Sequence, residues 1–226
     1  MEHGFTWLGS LGLPDAIATS LLVATMLILF ALVARARLAA ATASVEPEDG
    51  VTVRNIAETF VEGIQGLAEG VIGHGSDRYV PLLATFFIFI LVANLLGLVP
   101  GFSPPTSDFN ITFALGLVSF VAYNYYGARA HGAGYVKQFL GPMLLLAPLM
   151  LLVEIFSHAF RPISLGIRLF ANMFADHQVV AMFTDMTKVV IPVMFYLLGA
   201  FVSVVQAFVF TMLTAIYIAL AISHDH

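Results

Sequence analysis

Residues 14–34, PDAIATSLLVATMLILFALVA, run for 21 positions with a single charge, at Asp15. As a helix, a stretch of that length and composition crosses the ~30 Å hydrocarbon core of a bilayer. In lipid only helices and closed barrels satisfy every backbone polar group. The rest of the chain is made of the same material: of its 226 residues 60% are hydrophobic and 10% charged, where a soluble domain has roughly 25% charged residues. The chain is therefore expected to be an all-α integral membrane protein. Its net charge of −5 comes mostly from one early acidic segment and does not suggest a nucleic-acid partner. Without cysteine there is no disulfide framework, thiolate nucleophile or cysteine metal site.

Arg35 and Arg37 follow the first span directly, which puts the N-terminus outside by the positive-inside rule. Glu2 and His3 precede the apolar run where a secretory signal would carry basic residues, so residues 14–37 read as a retained membrane helix. Residues 38–51, with ATASVEPEDG, read as a solvated linker. Over 52–72, Ile56, Phe60, Ile64, Leu67 and Val71 recur at helical spacing against Arg54, Glu58, Glu62, Gln65 and Glu69. That pattern predicts an amphipathic helix on the membrane surface or against a partner. Spans at 79–99 and 111–126, joined by the Pro-rich turn PGFSPPTSDFN, predict a membrane hairpin over 79–126. A Gly-rich loop, GARAHGAGYVKQF, leads to two long segments, 142–188 and 189–223, which form a second hairpin over 142–223. Arg35, Arg37, Arg54, Arg78, Arg129 and Lys137 then lie on the cytoplasmic side with the C-terminus, and Lys188 lies outside. The expected architecture is one membrane domain over 1–226, with five membrane helices and one amphipathic surface helix. No internal repeat supports an inverted-repeat transporter. The missing targeting segment favours a bacterial inner membrane over an organelle.

The segment 142–188 carries the polar residues. At 100° per residue Glu154, Ser157, His158, Arg161, Ser164, Arg168, Asn172 and Asp176 fall within an arc of roughly 120°, and His177 lies off it. About 20 residues suffice to span, so this segment of more than forty must tilt, and its polar stripe must face protein or water. Pro162 removes the helix hydrogen bond toward the carbonyl of His158 and is expected to bend the helix there. On the final segment Tyr196, Gly199, Ser203, Gln206, Thr214 and Tyr217 share one face. Tyr and Ser in such a stripe often only pack helices together. The Gln206 amide needs partners in hydrocarbon, and Asn172 or Arg168 across the hairpin could supply them.

Glu154 and Arg161, two turns apart, could pair as internal glue. Arg168 has no carboxylate three or four residues away, and an arginine stays charged at working pH, so the expected partner is an acid on another chain. A self-contained proton or cation channel or secondary transporter would use the same intramembrane charges. An intramembrane hydrolase is disfavoured, because no Ser/His/Asp spacing, HExxH or Gly-x-Asp motif is present. His74, His131, His224 and His226 read as solvated side chains rather than metal ligands, and no cofactor or metal is expected.

RPISLGIRLFANMFADH (161–177), followed by VVQAFVFTMLTAIYIALA (204–221), closely resembles subunit a of the F-type ATP synthase membrane sector. NLLGLVPGFSPPTSDFNIT and NIAETFVEGI resemble the hairpin and surface-helix regions of the same family, so the resemblance covers most of the chain after about residue 50. It implies a non-catalytic, stationary subunit whose last two helices form a tilted hairpin along a ring of c subunits. The peripheral-stalk b subunit, the remaining ATP synthase subunits and the lipid bilayer are the other implied partners. Arg168 matches the family's essential arginine, facing the ring carboxylate, and Glu154, Asn172, His177 and Gln206 match its proton-path positions. An outer half-channel would run through Asn172, Asp176, His177 and Gln206. An inner one would run through Glu154, Ser157, His158, Arg161 and Ser164. The coupling ion is expected to be the proton rather than sodium. Some family members carry a carboxylate at the position of His177, paired with a histidine at that of Gly199. Here the acid stands at Asp176 and the imidazole next to it.

Overall fold

The computed structural model describes residues 12–41, 52–73, 75–99, 101–132, 147–187 and 190–223, and all the regular structure among them is helical. Six α-helices follow one another: α1 (Asp15–Ala41), α2 (Val53–Ile72), α3 (Val80–Leu96), α4 (Phe109–His131), α5 (Ala147–Thr187) and α6 (Val190–Ile222). Short 3-10 turns at Ser76–Arg78 and Pro105–Ser107 precede α3 and α4. Three stretches, Asp15–Ala36, Phe109–His131 and Pro192–Ile222, are long and apolar enough to cross a membrane, and α3 is a shorter apolar helix of 17 residues. Along α1, Leu21, Ile28, Leu29 and Leu32 are exposed, as a helix solvated by lipid requires.

Several boundaries differ from the sequence reading. The first helix runs on to Ala41, into the stretch read as the start of a linker, because Leu38, Ala39, Ala40 and Ala41 are all strong helix formers. Residues 42–51 lie outside the described residues, as do His74, Lys137, Lys188, His224 and His226. Residues 127–131, read as loop, form the last turn of α4, where Arg129 and His131 complement the helix dipole before Gly132 ends it with φ at 58°. His131 is thus a half-buried helix-end residue rather than a loop residue. Described structure resumes at Ala147, so residues 142–146 of the predicted long segment lie outside it.

The amphipathic helix α2 begins at Thr52, whose hydroxyl accepts from the Asn55 N–H at 3.3 Å. Its buried face, Ile64 and Ala68, packs into a core with Tyr79, Val80, Leu83, Tyr123, Ala215, Ile218 and Ala221. The partner for most of that apolar face is thus the chain's own bundle; Ile56, at its start, is exposed. Gln65 donates to Asp77 at 2.9 Å, tying α2 to the turn before α3.

The centre of the bundle is a second core in which Leu165 and Leu169 of α5 meet Phe86 and Ile90 of α3 and Ala207 and Phe210 of α6. Helix α5 is a single helix of 41 residues with Pro162 inside it, about 60 Å long at 1.5 Å per residue. Its neighbours run antiparallel to it. Against α4, His158 meets Asn124, Pro162 lies beside Gly116, Gly166 beside Phe113, and Phe170 beside Phe109. Against α6, Arg161 meets Tyr217, Asn172 meets Gln206, Asp176 lies beside Gly199, and Phe183 stacks on Phe195 at 4.5 Å.

Candidate functional site

Helix geometry sorts the α5 side chains into two directions. Leu165, Leu169 and Met173 are buried at helical spacing and face the core. Ser164, Arg168 and Asn172 lie on the exposed side, with Ile167, Ala171, Phe174 and Ala175 around them. Among the described residues Arg168 has neither an ion pair nor a hydrogen bond from its side chain, whereas Arg54 of α2 pairs with Glu58. Apart from Ser164 and Asn172, the exposed neighbours of Arg168 on α5 are apolar, and Leu197, Leu198, Phe201 and Val205 are exposed along α6. A guanidinium cannot discharge itself, so an apolar setting is costly for it unless a counter-charge lies near.

Next to the arginine, Asn172 Nδ2 donates to Gln206 Oε1 at 2.7 Å, and Gln206 is 3% exposed. Of the two partners expected for Gln206, the structure gives Asn172. The pair answers the need of each amide for a partner in an apolar medium and fixes α5 against α6 at the level of Arg168.

One turn further on, the two adjacent polar residues part company. The Asp176 carboxylate leans on Gly199 of α6 so closely that a Cβ there would sit 2.5 Å from Oδ2. The His177 ring turns the other way, toward Gly97 beyond the end of α3. A Cβ on Gly97 would lie 2.9 Å from His177 Nε2 and 2.6 Å from Pro104. Nearby, Thr106 of the α3–α4 connection donates to Asn94 Oδ1 of α3 at 2.6 Å, both side chains buried, while Asn94 Nδ2 has no partner among the described residues.

At the other end of the stripe His158 Nε2 lies 3.0 Å from Asn124 Oδ1, with the imidazole edge-on to Tyr123 at 5.2 Å. Arg161 does not pair with Glu154. Its guanidinium sits over the rings of Tyr217 and Tyr123 at 5.2 and 5.8 Å, a contact that holds a cation without neutralising it. Glu154 is half-buried; Ser157 is exposed, and the Ser164 hydroxyl donates to the Arg161 carbonyl at 3.0 Å. The serines thus share the exposed side with Arg168, while His158 and Arg161 turn inward to α4 and α6.

Asn94, Thr106, Tyr123 and Asn124 are polar neighbours of this stripe that the sequence reading did not single out. The signal available was an amide inside an apolar span, FFIFILVANLL for Asn94 and FVAYNYY for Asn124, since an amide in hydrocarbon needs partners. Ser119 and Thr214, 2.9 Å apart and buried, form a further polar link between α4 and α6.

The family model for the ATP synthase A chain matches residues 17–219. ATP synthase subunit a of Bdellovibrio bacteriovorus is 46% identical over 194 residues, covering 85% of each chain. ATP synthase subunit a 1 of Pelobacter propionicus is 38% identical over 212 residues, 94% of this chain and 89% of that one. ATP synthase subunit a of Geotalea daltonii is 38% identical over 226 residues, 100% of this chain and 95% of that one. With a family match across nearly its whole length and relatives this similar over most of both chains, the chain belongs to the ATP synthase A chain family.

Proposed function

We propose that this chain is the stationary proton-translocating subunit of an F-type ATP synthase in a bacterial inner membrane, with the c-subunit ring against the exposed side of α5 and α6. The chain acts as one membrane unit, with α1, α3, α4, α5 and α6 in the bilayer and α2 at the cytoplasmic end. The N-terminus is outside and the C-terminus cytoplasmic, and the b subunit of the peripheral stalk holds the unit still. The observation that carries this reading is Arg168, a charged side chain without a partner among the described residues, on an exposed apolar stretch of α5. A passing ring carboxylate supplies its counter-charge and is held ionised while it does so.

Arg168 then divides two paths. Asn172, Asp176, His177 and Gln206 line the outer one; Glu154, Ser157, His158, Arg161 and Ser164 line the inner one. A ring acid takes a proton from the outer path, travels round, and loses it to the inner path on reaching Arg168. Each proton crossing releases about 2.3 kcal/mol per 100 mV, and the break at Arg168 converts that release into rotation. Arg168 gates the exchange without carrying the proton, since a guanidinium does not deprotonate in this range.

The test is proton leak and ATP synthesis in vesicles. Arg168→Ala is expected to abolish synthesis and to keep or raise passive leak, because the two paths then join across a neutral ring acid. Arg168→Lys is expected to lose most coupling, having lost the planar fork. Synthesis retained in Arg168→Ala overturns the reading, and transport by the purified chain without any ring subunit would favour a self-contained channel instead.

A further inference from the structure

Helices α4 and α5 approach each other closely through two glycines. A Cβ on Gly116 would lie 2.5 Å from the Pro162 carbonyl oxygen, 3.3 Å from its carbon and 3.4 Å from the Gly166 nitrogen. Reciprocally, a Cβ on Gly166 would lie 3.0 Å from the Phe113 Cα, 3.1 Å from the Thr112 carbonyl oxygen and 3.2 Å from the Phe113 nitrogen. Every obstructing atom is backbone, which cannot swing aside as a side chain does. The glycines of α2 are different: Gly63, Gly66 and Gly70 have nothing within 4 Å of an added Cβ. Both Gly116 and Gly166 are helical residues without positive φ, so backbone freedom does not account for them. What they supply is room.

Gly166 is two residues from Arg168, about 200° round the helix. The face of α5 that beds on α4 is therefore opposite the face that carries the arginine. We propose that Gly116 and Gly166 are positioning residues, a backbone-to-backbone lock between α4 and α5 that sets the depth and rotation of Arg168. Close helix approach through small residues is the usual way to fix a crossing in lipid, where apolar area gives little preference between arrangements. The lock lies where it is needed most. Pro162 deletes a hydrogen bond of α5 at this level, and Gly116 of α4 covers its carbonyl. Below it His158 meets Asn124, and above it Phe170 meets Phe109 with ring centroids 5.9 Å apart. The shared register makes α4 a splint for the weak point of α5.

This inference rests on the reading of Arg168 as the divider of two paths, and the experiment separates the two. Gly116→Ala, Gly166→Ala, Gly63→Ala and Arg168→Ala are each made in the whole ATP synthase and assayed in inverted vesicles. The readouts are assembled subunit, ATP-driven proton pumping, and passive leak after the catalytic sector is removed. In a helix Ala is favoured over Gly by about 1 kcal/mol, so intrinsic propensity alone would make the glycine variants better. The expectation for Gly116→Ala is normal assembly, pumping lowered about tenfold or more as a displacement near 1 Å can do, and raised leak. Gly63→Ala is expected to match the wild type.

Placement is read directly by disulfide trapping, made simple by the absence of native cysteine. Phe109→Cys with Phe170→Cys is expected to trap about fivefold less in the Gly116→Ala background, because a disulfide needs Cβ atoms about 3.5–4.5 Å apart. Wild-type pumping, leak and trapping in an assembled Gly116→Ala complex overturns the lock. If Gly116→Ala does not assemble, Gly166→Ala, with its softer 3.0–3.2 Å encounter, is judged by the same readouts. Failure of both to assemble beside a normal Gly63→Ala also overturns it, since the contact would then serve folding rather than placement. If Arg168→Ala leaves coupling intact, the divider reading fails, and trapping alone decides the lock.

Discussion

Replacing Gly199 by Ala is a small change with a calculable target. The new methyl would lie 2.5 Å from Asp176 Oδ2, 3.2 Å from its Cγ and 3.1 Å from Leu98 Cδ2. Ordinary contact begins near 3.4 Å, so the carboxylate must retreat by roughly 1 Å, and as the end of a flexible side chain it can do so by rotating. A side chain pushed about 30° off its rotamer costs of order 0.5–1.5 kcal/mol. If Asp176 works in the outer path from its present position, that cost enters the transport barrier and slows it about 2- to 12-fold. Folding should be little affected, because Ala improves helix propensity and the displaced group is not backbone. The assay is the initial rate of ATP-driven proton pumping by purified enzyme in liposomes, normalised to assembled subunit. A double-mutant cycle gives the decisive comparison. With Asp176→Ala already present the methyl meets no carboxylate, so adding Gly199→Ala should slow transport less than about twofold further, a non-additivity expected only for residues in contact. Two results refute the reasoning: no slowing by Gly199→Ala with Asp176 in place, or slowing factors that multiply in the double variant.

Gln206→Leu should lower thermal stability in detergent by about 1–2 kcal/mol, since it leaves the Asn172 amide without its 2.7 Å partner. Adding Asn172→Leu should recover part of that loss, and a double variant no more stable than the single one would show that the pair is not the cause. Tyr217→Phe keeps the ring beneath Arg161 and should match the wild type in melting temperature, whereas Tyr217→Ala removes a ring 5.2 Å from the guanidinium and should cost about 1 kcal/mol beyond its lost packing. Melting measured for Tyr217→Ala in the wild-type and Arg161→Gln backgrounds checks that coupling, and an equal loss in both would refute it.

What could be read from the sequence was what periodicity carries. Asn172 and Gln206 each stand on a polar stripe of a long apolar helix, and a hairpin brings the stripes together, so their meeting followed from helix geometry and the need of buried amides for partners. Arg161 was less legible. Its nearest acid along the helix, Glu154, offered a partner by charge, yet the residues that hold it are tyrosines of α4 and α6, and no spacing rule within one helix reports them. Asn94 and Thr106 meet across a Pro-rich turn, whose path cannot be derived from turn propensity. The amphipathic pattern of α2 was plain, but a pattern gives the apolar face and not what covers it, here mostly the chain's own bundle. Glycines gave the weakest signal, since Gly116 and Gly63 look alike in sequence and only the neighbouring backbone distinguishes them.

The length of α5 bears on the direction in which its side chains are spread. From Glu154 to Asp176 is 22 residues, about 33 Å along the axis at 1.5 Å per residue. If all 41 residues of α5 lie within ~30 Å of hydrocarbon, the axis stands roughly 60° from the bilayer normal, since its ~60 Å length is twice that thickness. The two residues then differ by about 17 Å in depth and by nearly 30 Å sideways. Under the proposed function, a proton handed along such a helix has less far to go through the membrane than in its plane, and the sideways distance falls to the ring.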